Sequence, residues 1–300
     1  MRLSTVILPV RRWAEGGRQQ WTHAEELGFH AAYTYDHLSW REPFRDRTWF
    51  GALPTLTAAA CATERIRLGT MVTSPNFRHP VTLAKELISL DDVSGGRITL
   101  GVGAGGTGFD ATTLLREGEE PWSARERADR LGEFVPLLDR LLTEDAVTEE
   151  GRYYVANGAR NIPGCVQRPR LPFAVAATGP RGMRLAARYG QAWVTTGDPK
   201  VSQDGTPEES LAALRNQSQR LEETCRELGR DPAALDRVML WGFTPDGPPT
   251  SVDHFVDFAG RHRDLGFTEL VLHAPIPDSR FAMDQELFDR IAVEAPAQLG

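Results

Sequence analysis

Residues 66–105 read IRLGTMVTSPNFRHPVTLAKELISLDDVSGGRITLGVGAG, and this stretch decides the fold class. Its pattern is a buried strand, a proline-marked loop, a helix, a tight glycine turn and a second buried strand, which predicts a βαβ unit. The second strand ends in Gly103 and Gly105, and glycine lets a backbone come close to another group. The stretch therefore predicts parallel strands, with a point of close approach at the end of one of them.

The alternation of short apolar runs and amphipathic segments continues along the whole chain. It predicts eight strands, each followed by a helix, at residues 3–8, 31–35, 66–71, 98–102, 173–176, 192–195, 238–242 and 269–273. Eight such units in 300 residues favour an α/β fold of the (β/α)8 TIM barrel type over a doubly wound sheet, which usually has fewer strands. No dinucleotide fingerprint follows the first strand, because Leu8 is followed by PVRR. We expect one barrel domain over residues 1–300, with insertions at its C-terminal face in long loops at about 105–122 and 143–171.

The composition suggests a cytoplasmic protein that acts on a small molecule. The formal net charge is −7 and the pI is about 5.6, which argues against nucleic acid or an anionic membrane as the partner. The three cysteines are far apart and form no C-x-x-C pair, so we expect reduced thiols. Histidines and carboxylates share no metal-ligand spacing, and we expect no metal. No apolar run approaches the length of a membrane span.

Polar and aromatic side chains follow several predicted strands, at the end of the barrel where such enzymes carry their chemistry. Asp36 and His37 follow the second strand, and Trp40 comes soon after. A histidine beside a carboxylate at this mouth can exchange a proton near neutral pH. The alternative is a capping aspartate and a histidine with only structural hydrogen bonds. Trp241 and His273 end two later strands, and we expect both in the substrate pocket.

The segment after the fifth strand has the composition of a phosphate cradle. Small residues allow a ligand to approach the backbone, Pro180 suits a first helical turn, and two arginines lie nearby. The alternative is an ordinary capped helix whose arginines face solvent. The residues of this predicted site are Ala177, Thr178, Gly179, Pro180, Arg181 and Arg184.

Several motifs, spread over nearly the whole chain, occur together in one known family. They are YDHL at 35–38, RIRLGT at 65–70, RHP at 78–80, LAK at 83–85, LDDVSGGR at 90–97, GVGAG at 101–105, and GP at 179–180 followed by LAA at 185–187. On these motifs the chain resembles the luciferase-like flavin and deazaflavin oxidoreductases of the bacterial-luciferase superfamily. The resemblance implies a barrel whose cofactor is FMN or coenzyme F420. The YDH motif, joined to GPRGMR at 179–184, looks more like the coenzyme F420 branch.

The resemblance also implies roles for individual residues. His37 would lie by the reacting ring carbon as the catalytic proton donor or acceptor. Asp36 would contact the cofactor and orient His37, and Trp40 would form a wall of the pocket. A backbone bulge after the third strand, often with a cis peptide, would support the coenzyme ring, and the strand-four glycines would leave room for it. These cofactor-binding positions are Met71, Val72, Thr73, Gly103, Ala104 and Gly105.

One position departs from the pattern of family members that oxidise a sugar phosphate. Those members have a glutamate directly after the strand-four glycines, where this chain has Gly106. We therefore expect a different and larger substrate, of the kind found in specialised metabolism. The loop that follows carries other carboxylates whose direction the sequence leaves open, namely Asp110, Glu117, Glu119 and Glu120.

Together these inferences predict an oxidoreductase that transfers a hydride between C5 of the deazaflavin and an organic substrate. Two alternatives stay open. One is an FMN-dependent luciferase-like monooxygenase that uses reduced FMN and oxygen, and the other is a barrel that binds flavin without turnover. Dimers are common among the relatives, and the apolar helix at Ala52–Ala62 would supply the interface of a homodimer.

Overall fold

Eight parallel strands form a closed barrel in the computed structural model, which describes residues 1–106, 108, 110–201 and 204–299. The strands in chain order are β1 (Arg2–Val6), β2 (Ala31–Thr34), β3 (Arg67–Thr70), β4 (Ile98–Gly103), β5 (Ala146–Glu150), β6 (Val155–Arg160), β7 (Phe173–Ala176), β8 (Ala192–Thr195), β9 (Asp236–Leu240) and β10 (Glu269–His273). The barrel closes in the order β1-β10-β9-β8-β7-β4-β3-β2, while β5 and β6 form a separate antiparallel hairpin. This is the (β/α)8 barrel that the sequence predicts.

A helix follows every barrel strand and returns the chain to the other end of the barrel. The helices are α1 (Gly17–Glu26), α2 (Ala52–Ala62), α3 (Pro80–Val93), α4 (Asp110–Thr113), α5 (Ala124–Thr143), α6 (Pro180–Tyr189), α7 (Pro207–Glu227), α8 (Val252–Arg263), α9 (Gln285–Glu294) and α10 (Pro296–Leu299). Proline occupies the first turn of α3, α6 and α7, where its missing N–H costs no hydrogen bond. Gly28 and Gly229 follow α1 and α7 with φ of 83° and 69°, a backbone conformation that favours glycine.

Two apolar layers follow from the alternation of side chains along each strand. On β9, Val238 and Leu240 belong to the cluster that fills the barrel, whereas Met239 and Trp241 belong to the cluster between the barrel and its helices. Both layers are buried. The alternation therefore decides, residue by residue, which side chain of a strand can reach the mouth of the barrel.

The strand boundaries agree closely with the sequence pattern. Strands β7, β8 and β10 begin and end at the predicted residues. Strand β9 begins and ends two residues before the predicted bounds, because it pairs with β8 from Asp236 onward. The predicted end at Gly242 has a φ of 120°, which a β-strand does not adopt.

The two long loops occupy different places. The loop at 105–122 follows β4 at the C-terminal end of the barrel strands and contains α4, although residues 107 and 109 lie outside the described residues. The segment at 143–171 follows the helix α5 and leads into β7, so it is not a strand-to-helix loop at the C-terminal face. Its hairpin packs against α5, with the ring centroids of Tyr154 and Phe134 5.6 Å apart. The first loop is thus the insertion that can contribute to a site at the barrel mouth.

Candidate active site

His37 follows the end of β2 and is held by a carboxylate from the loop after β4. Its Nδ1 lies 2.9 Å from Oδ2 and 3.2 Å from Oδ1 of Asp110, the first residue of α4. Trp49 Nε1 donates to the backbone carbonyl of His37 at 2.9 Å. The ring of Tyr35 meets the His37 ring edge-on, with centroids 5.8 Å apart. The imidazole is therefore held through both its side chain and its backbone.

Asp36 does not have the role that the sequence predicts, because the hydrogen bond that orients the His37 ring comes from Asp110 instead. The carboxylate of Asp36 is 1% exposed and faces Arg78, whose Nη2 and Nε donate to Oδ1 and Oδ2 at 2.7 and 3.1 Å. Thr73 Oγ1 donates to Oδ2 as well, at 2.9 Å. Both carboxylate oxygens are engaged, so Asp36 joins the end of β2 to the segment after β3.

The bulge after β3 is tied to both neighbouring strands. The Met71–Val72 peptide is cis, the form that the family resemblance implies. The backbone N–H of Met71 donates to Thr34 of β2 at 2.8 Å, and that of Thr73 donates to Gly101 of β4 at 2.8 Å. These bonds fix the bulge at the mouth of the barrel.

The strand-four glycines leave room mainly for neighbouring protein atoms. A Cβ atom at Gly103 would lie 3.1 Å from Val72 Cγ2 and 3.3 Å from Ala176 Cβ. At Gly105, with a φ of 72°, it would lie 2.5 Å from Asn76 Nδ2. The expectation that Gly103 leaves space for the coenzyme is therefore corrected, because the space is taken by the side chain of Val72.

A cavity of about 490 Å³ opens between the bulge, the end of β7 and the first turns of α5 and α6. Most of its lining residues are small or apolar. They are Met71, Val72, Ala104, Gly105, Ala124, Ala128, Leu131, Ala176, Ala177, Thr178, Gly179, Pro180, Arg181, Gly182, Val194, Thr195, Thr196 and Leu240. Nine of the thirteen predicted cofactor-binding residues are in this set, while Asp36, Thr73, Gly103 and Arg184 are not.

The first turn of α6 faces this cavity without a side-chain cap. Gly179 is the N-cap residue and Pro180 follows it, so no side chain accepts the N–H groups of the turn. Such a helix start favours an anionic group. Arg181 lines the cavity and pairs with Asp129. Arg184 is not among the lining residues, and its guanidinium pairs with Glu227 of α7 at 3.0 Å; its contact with a phosphate stays a prediction.

His273 is enclosed in the barrel mouth and holds a fixed proton. Its Nδ1 lies 2.9 Å from the carbonyl oxygen of Trp241, which can only accept, so Nδ1 carries the hydrogen. Nε2 then accepts from the hydroxyl of Tyr35 at 2.8 Å. Burial lowers the pKa of His273 to about 3, so this histidine is neutral at physiological pH. Its ring stacks on Phe281 with centroids 3.7 Å apart, and it does not line the large cavity.

Trp40 belongs to the same aromatic cluster. Its ring stacks on Phe281 with centroids 5.7 Å apart and meets the ring of Tyr35 edge-on at 5.2 Å. The side chain is buried and is not part of the lining of the large cavity. Trp40 therefore supports the mouth of the barrel from inside this cluster.

Trp241 does not line the large cavity, contrary to the expectation from its place after a strand. It is 1% exposed and stacks on Phe258 of α8, with centroids 3.7 Å apart and planes inclined by 8°. Its Nε1 donates to the carbonyl oxygen of Gly247 at 2.8 Å. The reason is the alternation on β9, where Leu240 points into the barrel and the next residue must point outward.

Sequence reasoning did not identify two contacts of this site. Asp110 was one of four carboxylates on its loop, and nothing in the loop sequence singles it out. Arg78 occurs in a family motif, but its two hydrogen bonds to Asp36, 42 positions earlier in the chain, depend on the tertiary structure and have no local sequence signal.

Among the described residues, no group of three or more His, Cys, Asp or Glu could hold a metal ion. Within the same residues, no helix is long and apolar enough to cross a membrane.

Comparison with known proteins gives a consistent set of relatives. A glucose-6-phosphate dehydrogenase of Beutenbergia cavernae, described as F420-dependent, is 30% identical over 85% of this chain and 86% of its own length. The 4-hydroxyprotoasukamycin monooxygenase of Streptomyces nodosus subsp. asukaensis is 37% identical over 70% of this chain and 54% of its own length. The coenzyme F420-dependent tetrahydromethanopterin reductase of Methanopyrus kandleri has the same fold, with a TM-score of 0.76 and 18% identity over 100% of this chain and 99% of that one.

The family model described as luciferase-like monooxygenase matches residues 12–245. That range contains His37, the bulge after β3 and the first turn of α6, the three features around which the candidate site is built. The chain belongs to the luciferase-like monooxygenase family.

Proposed function

We propose that this chain is a coenzyme F420-dependent oxidoreductase that transfers a hydride between the coenzyme and an organic substrate. The observation that carries the proposal is the His37–Asp110 pair, which lies at the same end of the barrel as the cavity lined by small residues. A positioned histidine supplies proton transfer, and a cavity of this kind suits a planar cofactor. The F420 dependence in the names of its relatives supports the choice of coenzyme.

The residues around the cavity fit such a coenzyme. Ala104, Ala176 and Ala177 present little side-chain bulk at the strand ends, and the bulge at Met71–Val72 closes one side. The uncapped first turn of α6 suits a phosphate group of the coenzyme. These elements come from β3, β4, β7 and α6, so the barrel itself sets their spacing.

When bound, the deazaflavin supplies or accepts the hydride. The protein provides the matching proton transfer at His37, whose ring is oriented by Asp110 and whose backbone is held by Trp49. Tyr35 and His273 lie behind this ring as a buried pair joined by a hydrogen bond, which restricts its movement. Each of these contacts places the imidazole at the mouth of the barrel rather than in solvent.

We propose an organic substrate other than a sugar phosphate. Gly106 offers no carboxylate at the position where the sugar-phosphate oxidising members of the family have a glutamate. Aromatic rings lie beside the two histidines of the mouth instead, with half-buried Trp49 next to His37 and half-buried Phe243 next to His273. Such a surface suits a larger substrate with an apolar body.

The function is tested by titrating the purified protein with coenzyme F420 and, in parallel, with FMN, and by measuring the quenching of cofactor fluorescence. We expect tight binding that is selective for F420. Arg181→Ala should weaken binding about tenfold, the effect of losing one charge-assisted hydrogen bond. Arg184→Ala is the matched control and should change the affinity less than about twofold, since Arg184, also paired with a carboxylate, does not line the cavity. Preference for FMN, or equal effects of the two substitutions, would overturn the assignment.

Two properties of the whole protein follow as proposals. Helix α2 has the sequence ALPTLTAAACA, without a charged residue, and its outer face exposes Pro54, Thr57 and Cys61. We propose that this face contacts a second copy of the chain, which sedimentation analysis of wild type and Thr57→Glu would test.

Cys61, Cys165 and Cys225 are all free thiols, which supports a cytoplasmic location.

A further inference from the structure

Asp110 holds both His37 and the residue after it. The carboxylate is 2% exposed. Its Oδ2 lies 2.9 Å from Nδ1 of His37, and its Oδ1 accepts the backbone N–H of Leu38 at 3.0 Å. The N–H of Leu38 can only donate, so Oδ1 is its acceptor; Oδ1 also lies 3.2 Å from Nδ1, and Oδ2 is the nearer oxygen to the imidazole.

This geometry determines where the imidazole carries its proton. An ionised carboxylate only accepts hydrogen bonds, so Nδ1 of His37 must be the donor. A neutral imidazole carries one N–H, so the lone pair of the ring nitrogens then lies on Nε2. The second oxygen is fixed by the backbone of Leu38, so the carboxylate cannot rotate away without losing a hydrogen bond.

No other carboxylate in the described contacts performs this role. Asp36, the neighbour in sequence, has both oxygens engaged by Arg78 and Thr73. Asp110 comes from a different loop, 73 positions further along the chain. The loop after β4 thus reaches across the mouth of the barrel to the end of β2.

We infer that Asp110 is a positioning residue, which keeps the proton of the neutral His37 ring on Nδ1 and makes Nε2 its basic nitrogen. This rests on the proposed function in one respect, namely that His37 exchanges a proton with the substrate. In substrate oxidation, the bond between the substrate and its proton breaks and an N–H bond forms at Nε2, while the hydride goes to the coenzyme. The positive charge that then arises on the ring faces the carboxylate of Asp110. In substrate reduction the same proton returns from Nε2.

Asp110→Asn tests the inference because it keeps the shape of the side chain and reverses its hydrogen bonding. The amide oxygen must stay on the N–H of Leu38, so the amide nitrogen takes the place of Oδ2 and donates to Nδ1 of His37. The nearest partner of Nδ1 is then a donor instead of an acceptor, which favours the tautomer that carries its proton on Nε2. A reversed tautomer of this kind, in a fold that is otherwise unchanged, separates positioning from support of the structure.

The measurement is the tautomer of His37 in ¹⁵N-histidine-labelled protein, by long-range ¹H–¹⁵N correlation at about pH 8.5, about two units above the ordinary histidine value. The His37 signals are assigned by their loss in His37→Gln. We expect Nδ1–H in the wild type, and a change of at least about tenfold in the tautomer ratio toward Nε2–H in Asp110→Asn, as fits a hydrogen bond to a charged group. Glu117→Gln, an exposed carboxylate on the same loop, is the matched control and should resemble the wild type.

Wild-type protein with Nε2–H, or an Asp110→Asn variant with the wild-type tautomer, would overturn the inference. If Asp110→Asn does not fold, Asp110→Ala decides in its place, because losing the acceptor should also remove the preference for Nδ1–H. None of these spectra requires a cofactor. Failure of the wild type to bind F420 would therefore reject the proposed function, while the tautomer would still decide the role of Asp110.

Discussion

The hydrogen bonds between Asp36 and Arg78 give Asp36 a structural role in place of the predicted catalytic one. Their contribution to stability can be measured. The fork between the two side chains is nearly closed to solvent, with Asp36 1% and Arg78 19% exposed. Burial alone would lower the pKa of Arg78, but the hydrogen bond and the charge of Asp36 outweigh this and raise it. The pair is therefore held together in the charged state.

The cost of removing each partner follows from what the other retains. Arg78→Ala leaves the carboxylate of Asp36 buried, with Thr73 as its remaining side-chain donor, and should lower the free energy of unfolding by about 3–5 kcal/mol. Asp36→Ala should cost less, about 2–3 kcal/mol, because Arg78 is partly exposed and also reaches Glu86 at 3.6 Å. The coupling energy between the two substitutions should be about 1.5–3 kcal/mol, the range for hydrogen bonds to charged groups.

Urea unfolding of the wild type, the two single variants and the double variant supplies all four corners of this cycle. Glu86→Gln is the control and should change stability by less than about 0.5 kcal/mol, since its carboxylate is half exposed. A coupling energy below about 0.5 kcal/mol would refute the reasoning. If Asp36→Ala kept full stability and altered the tautomer of His37, Asp36 would act on the histidine directly.

Two further predictions concern buried rings near the mouth of the barrel. Trp241→Ala should lower the free energy of unfolding by about 3–5 kcal/mol and leave F420 affinity unchanged, because the ring packs on Phe258 outside the barrel; weaker F420 binding at unchanged stability would return Trp241 to the pocket. The pKa of His273 is lowered by burial to about 3, so between about pH 6.5 and pH 3 the unfolded chain binds a proton that the folded chain does not. The free energy of unfolding therefore has this contribution in full above about pH 6.5 and loses it as the pH falls toward 3. In His273→Gln, the slope of the free energy of unfolding against pH, between about pH 4 and 5.5, should be smaller by about 1.4 kcal/mol per pH unit. Equal slopes in urea titrations of the two proteins would contradict the buried, neutral state of His273.

The sequence predicts the barrel well because each strand and helix carries its own local signal. Apolar runs and glycine or proline boundaries are visible within a dozen residues, and β7, β8 and β10 begin and end as predicted. The face that a side chain takes is harder to predict. On β9, Val238 and Leu240 belong to the cluster inside the barrel while Met239 and Trp241 belong to the outer layer, and because all four are apolar the sequence does not show which pair points inward.

The partners within the site are predicted less well, since they join distant segments. Gly103 is small because Val72 from the neighbouring strand lies against it, which no local pattern of glycines can reveal. Asp110 is one of several carboxylates on its loop, and only the folded chain shows which one meets His37. Sequence motifs thus located the mouth of the barrel, whereas the contacts within it depend on tertiary packing.

The arrangement around residues 35–37 has a physical reason that applies to any aspartate–histidine doublet after a strand. Side chains two positions apart share a face of an extended chain, whereas adjacent side chains point to opposite faces. The rings of Tyr35 and His37 accordingly meet edge-on, while Asp36 between them faces Arg78. An aspartate directly before a histidine is therefore poorly placed to accept from its ring. The carboxylate that orients the imidazole has to come from another segment, and here the loop after β4 supplies it through Asp110.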